Sequence, residues 1–431
     1  MHMDMGDGIR VRAPRFRQVS LLATGALALA VVAMPDTASA APMPSAATPR
    51  DIHQEVTRAR PGDTVTLPAG VTTLQRPLAV PRGVTIEGHP NGTVLRIARG
   101  AASEFGYSFM ITPATPGATN VTVRNISLDG SRSRGIPNNT GGGVKAGTSW
   151  TIKGIRASNM SYFRIWVYRV SDVRVLQNVF DAGFGMSGGH DNIGGGRSSR
   201  VTISGNRFET TTRGNAVDLV APRTVTISDN VAVGTPGREH SIFLEGPRTA
   251  VVTGNHLTES SITVQGNGDY RGTGETVNPT DVRVEANTVI SAPSHGIALK
   301  YEDEGVRRVA GGGNSILDNE IIDSGVSGVA ILHCTVGAGV RSDTVAGNSV
   351  LNPFARGTQS WGTGCGTVPS NGIAVTGGSA ELSNNRVVDS RPSSNTEYGI
   401  YVGAERARVP LGTVTLADNK GQGLLAGISN R

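Results

Sequence analysis

The sequence has little cysteine, few aromatic side chains and few charged ones. Of its 431 residues, two are cysteine, 4% are aromatic and 17% are charged. Two cysteines exclude a disulfide-rich scaffold, and without a matching histidine spacing they exclude a zinc motif. The net charge of +6 is small for this length, and Val, Ile and Thr recur throughout, so the composition excludes intrinsic disorder. The sequence contains no glycine-rich phosphate loop between a strand and a helix, and we expect no nucleic-acid partner.

Glycine, by contrast, is in excess. The 58 glycines amount to nearly twice the roughly 7% of average usage. Because glycine is unfavourable in helix interiors, this content argues against a helical protein. The composition therefore predicts a globular chain that is rich in strands and turns and long enough to bury a large core.

The N-terminal forty residues follow the order of a secretory signal peptide. Four arginines between positions 10 and 17 precede the apolar run Leu21–Met34, and the small residues Ala38–Ala40 follow it. Fourteen apolar residues are fewer than the roughly twenty that span a bilayer. We therefore predict a cleaved signal peptide at 1–40, a flexible segment at 41–49 and one secreted domain at 50–431, without a membrane partner after cleavage.

A short pattern repeats along the chain: a β-branched alternation, then Gly or Asp, then Asn. Val201–Asn206 and Val225–Asn230 are its clearest copies. The asparagines that end the copies are Asn178, Asn206, Asn230, Asn255, Asn287, Asn319, Asn348, Asn385 and Asn419. Asparagine tolerates the left-handed backbone of a sharp corner, and stacked asparagine side chains can hydrogen-bond to one another. We therefore predict a structural ladder and no catalytic role for them.

Each repeat also holds a second short strand, such as Ser241–Glu245 or Gly296–Lys300, in which apolar and variable residues alternate. One strand–turn–strand unit cannot bury its apolar face alone, but a stack of such units can. The repeats therefore predict a solenoid, and insertions such as Gly188–Ser199 should leave it as loops.

With these repeats, the chain resembles the right-handed parallel β-helix superfamily typified by pectate lyases. The N-terminal segment agrees, because Asp51–Ala59 is typical of a short amphipathic helix and Arg60–Gly70 is similar to the opening strand and turns of that superfamily. The resemblance implies an all-β fold: one right-handed parallel β-helix of about eleven coils with a short helical cap. It does not define the reaction, because the signature motifs of polygalacturonases, pectate lyases and alginate epimerases are absent from the sequence.

Alternation along the second strands places polar and aromatic residues on one outward face. Glu245, Gln265 and Lys300 should form a stripe across coils about 4.8 Å apart, with Asp218 diagonal to Glu245. We predict that this face binds substrate. The candidate catalytic residues are Lys300, Glu245, Asp218 and His190. The candidate substrate-binding residues are Trp166, Tyr168, Arg164, Gln265, Phe243, Tyr301 and His333.

Two reactions of an anionic polysaccharide suit this face. In β-elimination, Lys300, or alternatively His190 or His240, would remove a proton while Arg164 or a bound Ca²⁺ neutralises the uronate carboxylate. In hydrolysis, Asp218 and Glu245, about 7–8 Å apart as diagonal neighbours, would flank the scissile bond. We rank elimination slightly above hydrolysis, because the chain is mildly basic and a lyase needs a base such as Lys300. The alternatives are cyclisation of a small molecule and a glycan-binding module without catalysis.

The two cysteines, Cys334 and Cys365, form an even pair in a protein that we expect to be exported. An oxidising compartment favours a disulfide between them, with two free buried thiols as the alternative. No dense run of acids predicts a metal site. Ca²⁺ is therefore a candidate cofactor without ligands that the sequence identifies.

Overall fold

The computed structural model describes residues 51–430 of the chain, apart from thirteen internal segments. These are 106–107, 132–140, 161, 182–190, 210–213, 235–240, 267–276, 302–310, 334–339, 354–370, 394–395, 404–410 and 424–425. All described residues belong to one compact unit, Arg50–Arg431. The predicted signal peptide and the predicted Cys334–Cys365 disulfide lie outside the described residues. Among the described helices, none is both long and apolar enough to cross a membrane.

Three parallel sheets of thirteen strands each run along the chain, and we call them sheets A, B and C. Sheet A contains β1 (Thr64–Thr66), β4 (Thr85–Glu87), β7 (Thr122–Arg124), β10 (Thr151–Lys153), β13 (Ser171–Leu176), β16 (Ser199–Ser204), β19 (Arg223–Ser228), β22 (Arg248–Thr253), β25 (Arg283–Glu285), β29 (Ser315–Leu317), β33 (Asp343–Ala346), β36 (Gly378–Ser383) and β39 (Leu411–Ala417).

Sheet B follows sheet A in each coil. It contains β2 (Gly70–Leu74), β5 (Thr93–Ile97), β8 (Ser127–Asp129), β11 (Arg156–Ser158), β14 (Val179–Phe180), β17 (Arg207–Phe208), β20 (Val231–Val233), β23 (His256–Thr258), β26 (Thr288–Ile290), β30 (Glu320–Ile322), β34 (Ser349–Leu351), β37 (Arg386–Val388) and β40 (Lys420–Gln422).

Sheet C completes the coil. It contains β3 (Leu78–Val80), β6 (Phe109–Pro113), β9 (Gly142–Lys145), β12 (Ile165–Tyr168), β15 (Ile193–Gly196), β18 (Val217–Val220), β21 (Ile242–Glu245), β24 (Ile262–Gln265), β27 (Ile297–Tyr301), β31 (Val329–His333), β35 (Asn371–Thr376), β38 (Tyr398–Gly403) and β41 (Ala426–Asn430). A short pair, β28 (Gly311–Gly312) and β32 (Val340–Arg341), lies apart from the three sheets.

The predicted fold, a right-handed parallel β-helix solenoid, is confirmed, with three strands in each coil. Every strand pairs with the equivalent strand of the next coil, so inward side chains stack from coil to coil. Ile242, Ile262 and Ile297 form one such stack in sheet C, and all three are buried. The number of coils, thirteen, exceeds the expected eleven by the two that begin with β1 and β4.

The predicted N-terminal helix is present as α1 (Ile52–Arg58), and a second short helix, α2, covers Ala102–Phe105. Asp51 caps α1, because its carboxylate accepts hydrogen bonds from the backbone N–H groups of His53 at 3.0 Å and Gln54 at 3.3 Å. The two apolar residues of α1, Ile52 and Val56, are buried. They belong to the same apolar core as the first coils, so α1 covers the beginning of the stack.

The repeated asparagines form the predicted ladder at the corner between sheets A and B. In each step the side-chain amide donates to the Oδ1 of the next asparagine, at 2.9 Å from Asn178 to Asn206 and 3.0 Å from Asn287 to Asn319. The backbone conformation expected for them was wrong. A positive φ belongs to the residue before each ladder asparagine, such as Gln177 or Asp229, and the asparagine supplies the hydrogen bonds.

Removing one rung in the middle of the ladder should destabilise the protein. In Asn287→Ala, the buried backbone N–H of Asn255 loses the acceptor Oδ1 that lies 3.0 Å away, so we expect unfolding to become easier by roughly 3 kcal/mol. Denaturant unfolding measures the change. Asn419→Ala is the matched control, because Asn419 lies in the last coil and is only half-buried, where water can replace its bonds. Equal losses for the two variants would contradict the ladder's role.

Inside the solenoid, a polar cluster joins sheet C to sheet A. The Tyr301 hydroxyl donates to Asp343 Oδ2 at 2.6 Å, and the Asn314 side-chain amide donates to the same hydroxyl at 2.6 Å. The His333 ring stacks on the Tyr301 ring, with centroids 4.4 Å apart. Burial raises the pKa of Asp343 to about 6 and lowers the pKa of His333 to about 4. Tyr301 and His333 therefore belong to the interior, and their side chains do not lie on the outward face predicted for substrate.

Candidate active site on sheet C

The outward face of sheet C carries the predicted stripe in the predicted register. Glu245 pairs with Gln265, and Gln265 pairs with Lys300 on the next strand. Asp218 pairs with Phe243, which places Asp218 diagonal to Glu245. All five side chains are half-buried. Farther along the stack the outward residues Ala330, Leu332 and Ala374 are buried.

An aromatic group lies at one end of this face. Trp166 and Tyr168 of β12 stack with ring centroids 5.6 Å apart and an interplanar angle of 25°. The ring centroids of Phe163 and Trp166 lie 4.5 Å apart. The Tyr162 ring meets the Phe163 ring edge-on, with centroids 4.7 Å apart. The sequence predicted Trp166 and Tyr168 but not the other two, because they precede the strand and follow no alternation. Such rings offer apolar faces to a ligand.

Strand β15, which lies between the aromatic group and Asp218, contains three successive glycines. A Cβ atom on Gly194 would overlap the ring of Phe163. A Cβ on Gly195, whose φ is 148°, would overlap the backbone carbonyl oxygen of Val167. Glycine is therefore required at both positions, and it allows the Phe163 ring to lie directly on the strand beside Asp218.

Two carboxylates are joined by one asparagine in the coil that leads to Asp218. The backbone N–H of Asn215 donates to Asp191 Oδ1 at 2.6 Å, and the Asn215 side-chain amide donates to Asp218 Oδ2 at 3.0 Å. Asn215 is held in turn by Asn192, which donates from its backbone N–H to the Asn215 carbonyl at 2.9 Å. The sequence analysis missed Asn215 as a site residue, although its position three residues before Asp218 is a signal that could have been used.

Burial and neighbouring charges change the acidity of these groups. Burial, followed by the negative charges of Asp191 and Glu245, raises the pKa of Asp218 to about 8. Burial also raises the pKa of Asp191, and the positive charge of Arg164 opposes that shift. Asp218 is therefore a protonated carboxylic acid at neutral pH, next to two other carboxyl groups. Carboxyl groups whose pKa values are shifted by burial and by one another cluster at functional sites.

Arg164 has a different position from the one expected. It was expected to meet a substrate carboxylate, but its side chain is 7% exposed and its Nη2 donates to the carbonyl of Asp181 at 3.4 Å. Its charge acts on Asp191. We therefore assign it to the support of the carboxyl cluster.

The structure does not test four of the residues predicted from the sequence. His190, His240, Cys334 and Cys365 lie outside the described residues. Within the described part of the chain, no group of three or more His, Cys, Asp or Glu side chains is arranged to hold a metal ion.

Comparisons with known proteins support the fold. Residues 193–387 match the family model for the right-handed β-helix region, and no curated protein matches the amino-acid sequence. An alginate lyase solved with a trisaccharide superposes with a TM-score of 0.58 at 12% identity, over 87% of this chain and 82% of the lyase.

Two further solved structures are similar. The catalytic unit of an α-1,3-glucanase from Streptomyces thermodiastaticus gives a TM-score of 0.56 at 16% identity, over 88% of this chain and 66% of the glucanase. The Streptococcus pneumoniae surface adhesin PfbA gives 0.51 at 11% identity, over 88% and 89%. At these identities the likeness concerns the fold alone. With the three parallel sheets, it shows that the chain is a right-handed parallel β-helix protein.

Proposed function

We propose that the protein is a secreted glycoside hydrolase that acts on a polysaccharide. The observation that carries the proposal is the carboxyl cluster, in which Asn215 holds Asp191 and Asp218 together and Glu245 lies diagonal to Asp218. A protonated acid beside a second carboxylate is the arrangement that glycoside hydrolysis uses. The similarity in fold to a glucanase and an alginate lyase agrees with a polysaccharide substrate.

In the proposed mechanism, Asp218 is the general acid and Glu245 the general base. Asp218 donates its proton to the glycosidic oxygen as the bond from that oxygen to the anomeric carbon breaks. Glu245 removes a proton from a water molecule that attacks the anomeric carbon from the other side. Diagonal neighbours about 7–8 Å apart fall within the roughly 6.5–9.5 Å of inverting enzymes, so we expect inversion of configuration.

The neighbouring residues would position the sugar and tune the acid. The stacked rings of Trp166 and Tyr168 would hold sugar rings by their apolar faces. Asp191 is joined to Asp218 through Asn215 and, after burial, contributes with Glu245 to the raised pKa of Asp218. We therefore treat Asp191 as a positioning residue.

The structure reverses our ranking of the two candidate reactions, hydrolysis and elimination. Elimination with Lys300 as base needs a cation close to the substrate carboxylate, and Arg164, the side chain considered for that role beside a bound Ca²⁺, is buried. The carboxyl cluster, in contrast, contains the acid and the base that hydrolysis needs. We therefore rank hydrolysis above elimination.

A survey of neutral and uronate polysaccharides distinguishes the reactions. Hydrolysis produces new reducing ends without ultraviolet absorbance from unsaturated ends, whereas elimination produces both. We expect the first result, and unsaturated products would overturn the assignment of Asp218 and Glu245. If no polysaccharide is cleaved but one is bound, the protein is a binding module, as the similar fold of an adhesin permits. If none is cleaved or bound, small-molecule chemistry is favoured.

The activity should fall on the alkaline side. Because the pKa of Asp218 is raised to about 8, its acid form is present below that pH and is lost above it. We expect kcat/KM to decrease tenfold for each unit of pH above about 8. A pH profile that stays flat up to pH 10 would show that Asp218 is not the acid.

A further inference from the structure

A second surface lies beyond the corner where sheet C turns into sheet A, and it is rich in exposed arginines. Six of them lie on four successive coils, and we call this set the arginine surface: Arg169, Arg174, Arg197, Arg200, Arg223 and Arg248. Two acids near these arginines form ion pairs. Asp172 binds Arg200 through two bonds of 2.6 and 2.8 Å, and Asp281 binds Arg341 at 2.7 Å.

The arginine surface places like charges side by side. Arg223 pairs directly with Arg248 in the register of sheet A. Arg169 follows Tyr168, and Arg197 follows Gly196, the residue that pairs with Tyr168. Like charges opposite each other on neighbouring strands are unfavourable. An anion with several negative charges along its length would relieve both repulsions.

A groove of about 500 Å³ lies within this surface. Thr151, Arg174, Thr202 and Thr226 occupy equivalent positions on four successive strands, β10, β13, β16 and β19, and all line the groove. The Asp172–Arg200 ion pair forms part of its wall. Threonine hydroxyls can hydrogen-bond to sugar hydroxyls, and arginine matches the geometry of a carboxylate.

The arginine surface, through Arg169, also reaches the aromatic group of the candidate active site. The guanidinium of Arg169 lies 5.3 Å from the centroid of the Tyr168 ring, and Tyr168 stacks on Trp166. Between Tyr168 and β13 the chain turns within two residues. A chain molecule that leaves the aromatic group can therefore pass over Arg169 to Arg174.

We propose that the arginine surface binds an acidic polysaccharide, one that carries a carboxylate on its sugars, as an extension of the site on sheet C. The groove, its threonine hydroxyls and the adjacent aromatic group favour a glycan over other polyanions. Only the statement that this bound chain is also the substrate rests on the proposed function. Binding itself is a separate property and can be measured without turnover.

The test measures the affinity of a fluorescent oligogalacturonate for the Asp218→Asn variant, which should not cleave it. Adding Arg174→Ala and Arg223→Ala should weaken binding on the order of tenfold, because two charge-assisted contacts are lost. The matched control adds Arg386→Ala and Lys420→Ala, which remove the same number of positive charges from sheet B. Thermal unfolding of both variants verifies that the exposed substitutions leave the fold intact.

Three results would overturn the inference. They are equal binding by the test and control variants, equal binding of a neutral maltooligosaccharide of the same length, and equally tight binding of a single-stranded oligonucleotide. Failure of the proposed function looks different. In that case the test variant binds the oligogalacturonate more weakly than the control variant, as expected, but the unmodified protein releases no reducing ends from any polysaccharide.

Discussion

Replacing Asp218 by Asn should lower kcat by about 10²–10⁴-fold, because the amide cannot donate the proton that the leaving oxygen requires. Glu245→Gln should produce a similar loss by removing the base. The measurement is the release of reducing ends from the best substrate. Asp318→Asn is the matched control, because Asp318 lies at the ladder corner in the left-handed conformation that asparagine also adopts. Unchanged turnover in Asp218→Asn would place the site elsewhere, and the outward face of sheet A would be the next candidate.

The same substitution should also change stability, in the opposite direction. The pKa of Asp218 in the folded protein, about 8, lies above its ordinary value of 3.8, so the folded state holds this proton more tightly than the unfolded state does. Stability from this group is present below pH 4 and is lost as the pH rises toward 8, by up to ~1.4 kcal/mol per unit. Asparagine cannot ionise. We therefore expect Asp218→Asn to melt at a higher temperature than the unmodified protein at pH 8 and at a similar one at pH 4.

The second large effect concerns the glycine strand beneath the site. Gly195→Ala would place a Cβ on the carbonyl oxygen of Val167 in the neighbouring coil, at a backbone conformation that alanine avoids. We expect unfolding to become easier by roughly 3 kcal/mol or more, from overlap and strain together. Chemical denaturation measures this. The variant should also lose activity, because a shift of β15 would displace the Phe163 ring, which lies against Gly194 of the same strand.

Gly92→Ala separates the two causes of the stability loss expected for Gly195→Ala, atomic overlap and backbone strain. Gly92 has a φ of 88° but no atom within 4 Å of a Cβ placed there, so only strain remains, worth about 1–2 kcal/mol. If the two variants lose the same stability, the close approach between β12 and β15 does not have the energetic weight that we assign to it.

The fold could be predicted from the sequence because the residues that define each repeat recur at recognisable positions in every later coil. The ladder asparagines and the alternation of strands such as β16 and β21 are visible in one reading. The strands of sheet B escaped notice because they are short: Val179–Phe180 and Arg207–Phe208 have two residues each, too few for an alternation to show. Val121–Ile126 and Thr151–Ile155 are weaker copies of the repeat, because Ile126 and Ile155 stand where later coils have asparagine.

The site was partly predictable for the same reason. Alternation placed Asp218, Glu245 and Lys300 correctly on the outward face, because register follows from the inward residues. It could not reveal the link from Asp191 to Asn215, which belongs to the segments before the strands and depends on tertiary contacts. Tyr301 was misplaced on that face although it follows Lys300 directly, and adjacent strand residues point to opposite sides.

The helix α1 has a consequence for association between molecules. A stack of parallel strands can grow by adding one more strand at its end, and among the described strands β1, β2 and β3 pair on one side only, with β4, β5 and β6. Natural sheets protect such edges against joining another molecule end to end. By burying Ile52 and Val56 over the first coil, α1 makes that end unsuitable for a second copy. We therefore expect a variant without this cap to associate end to end more readily than the unmodified protein.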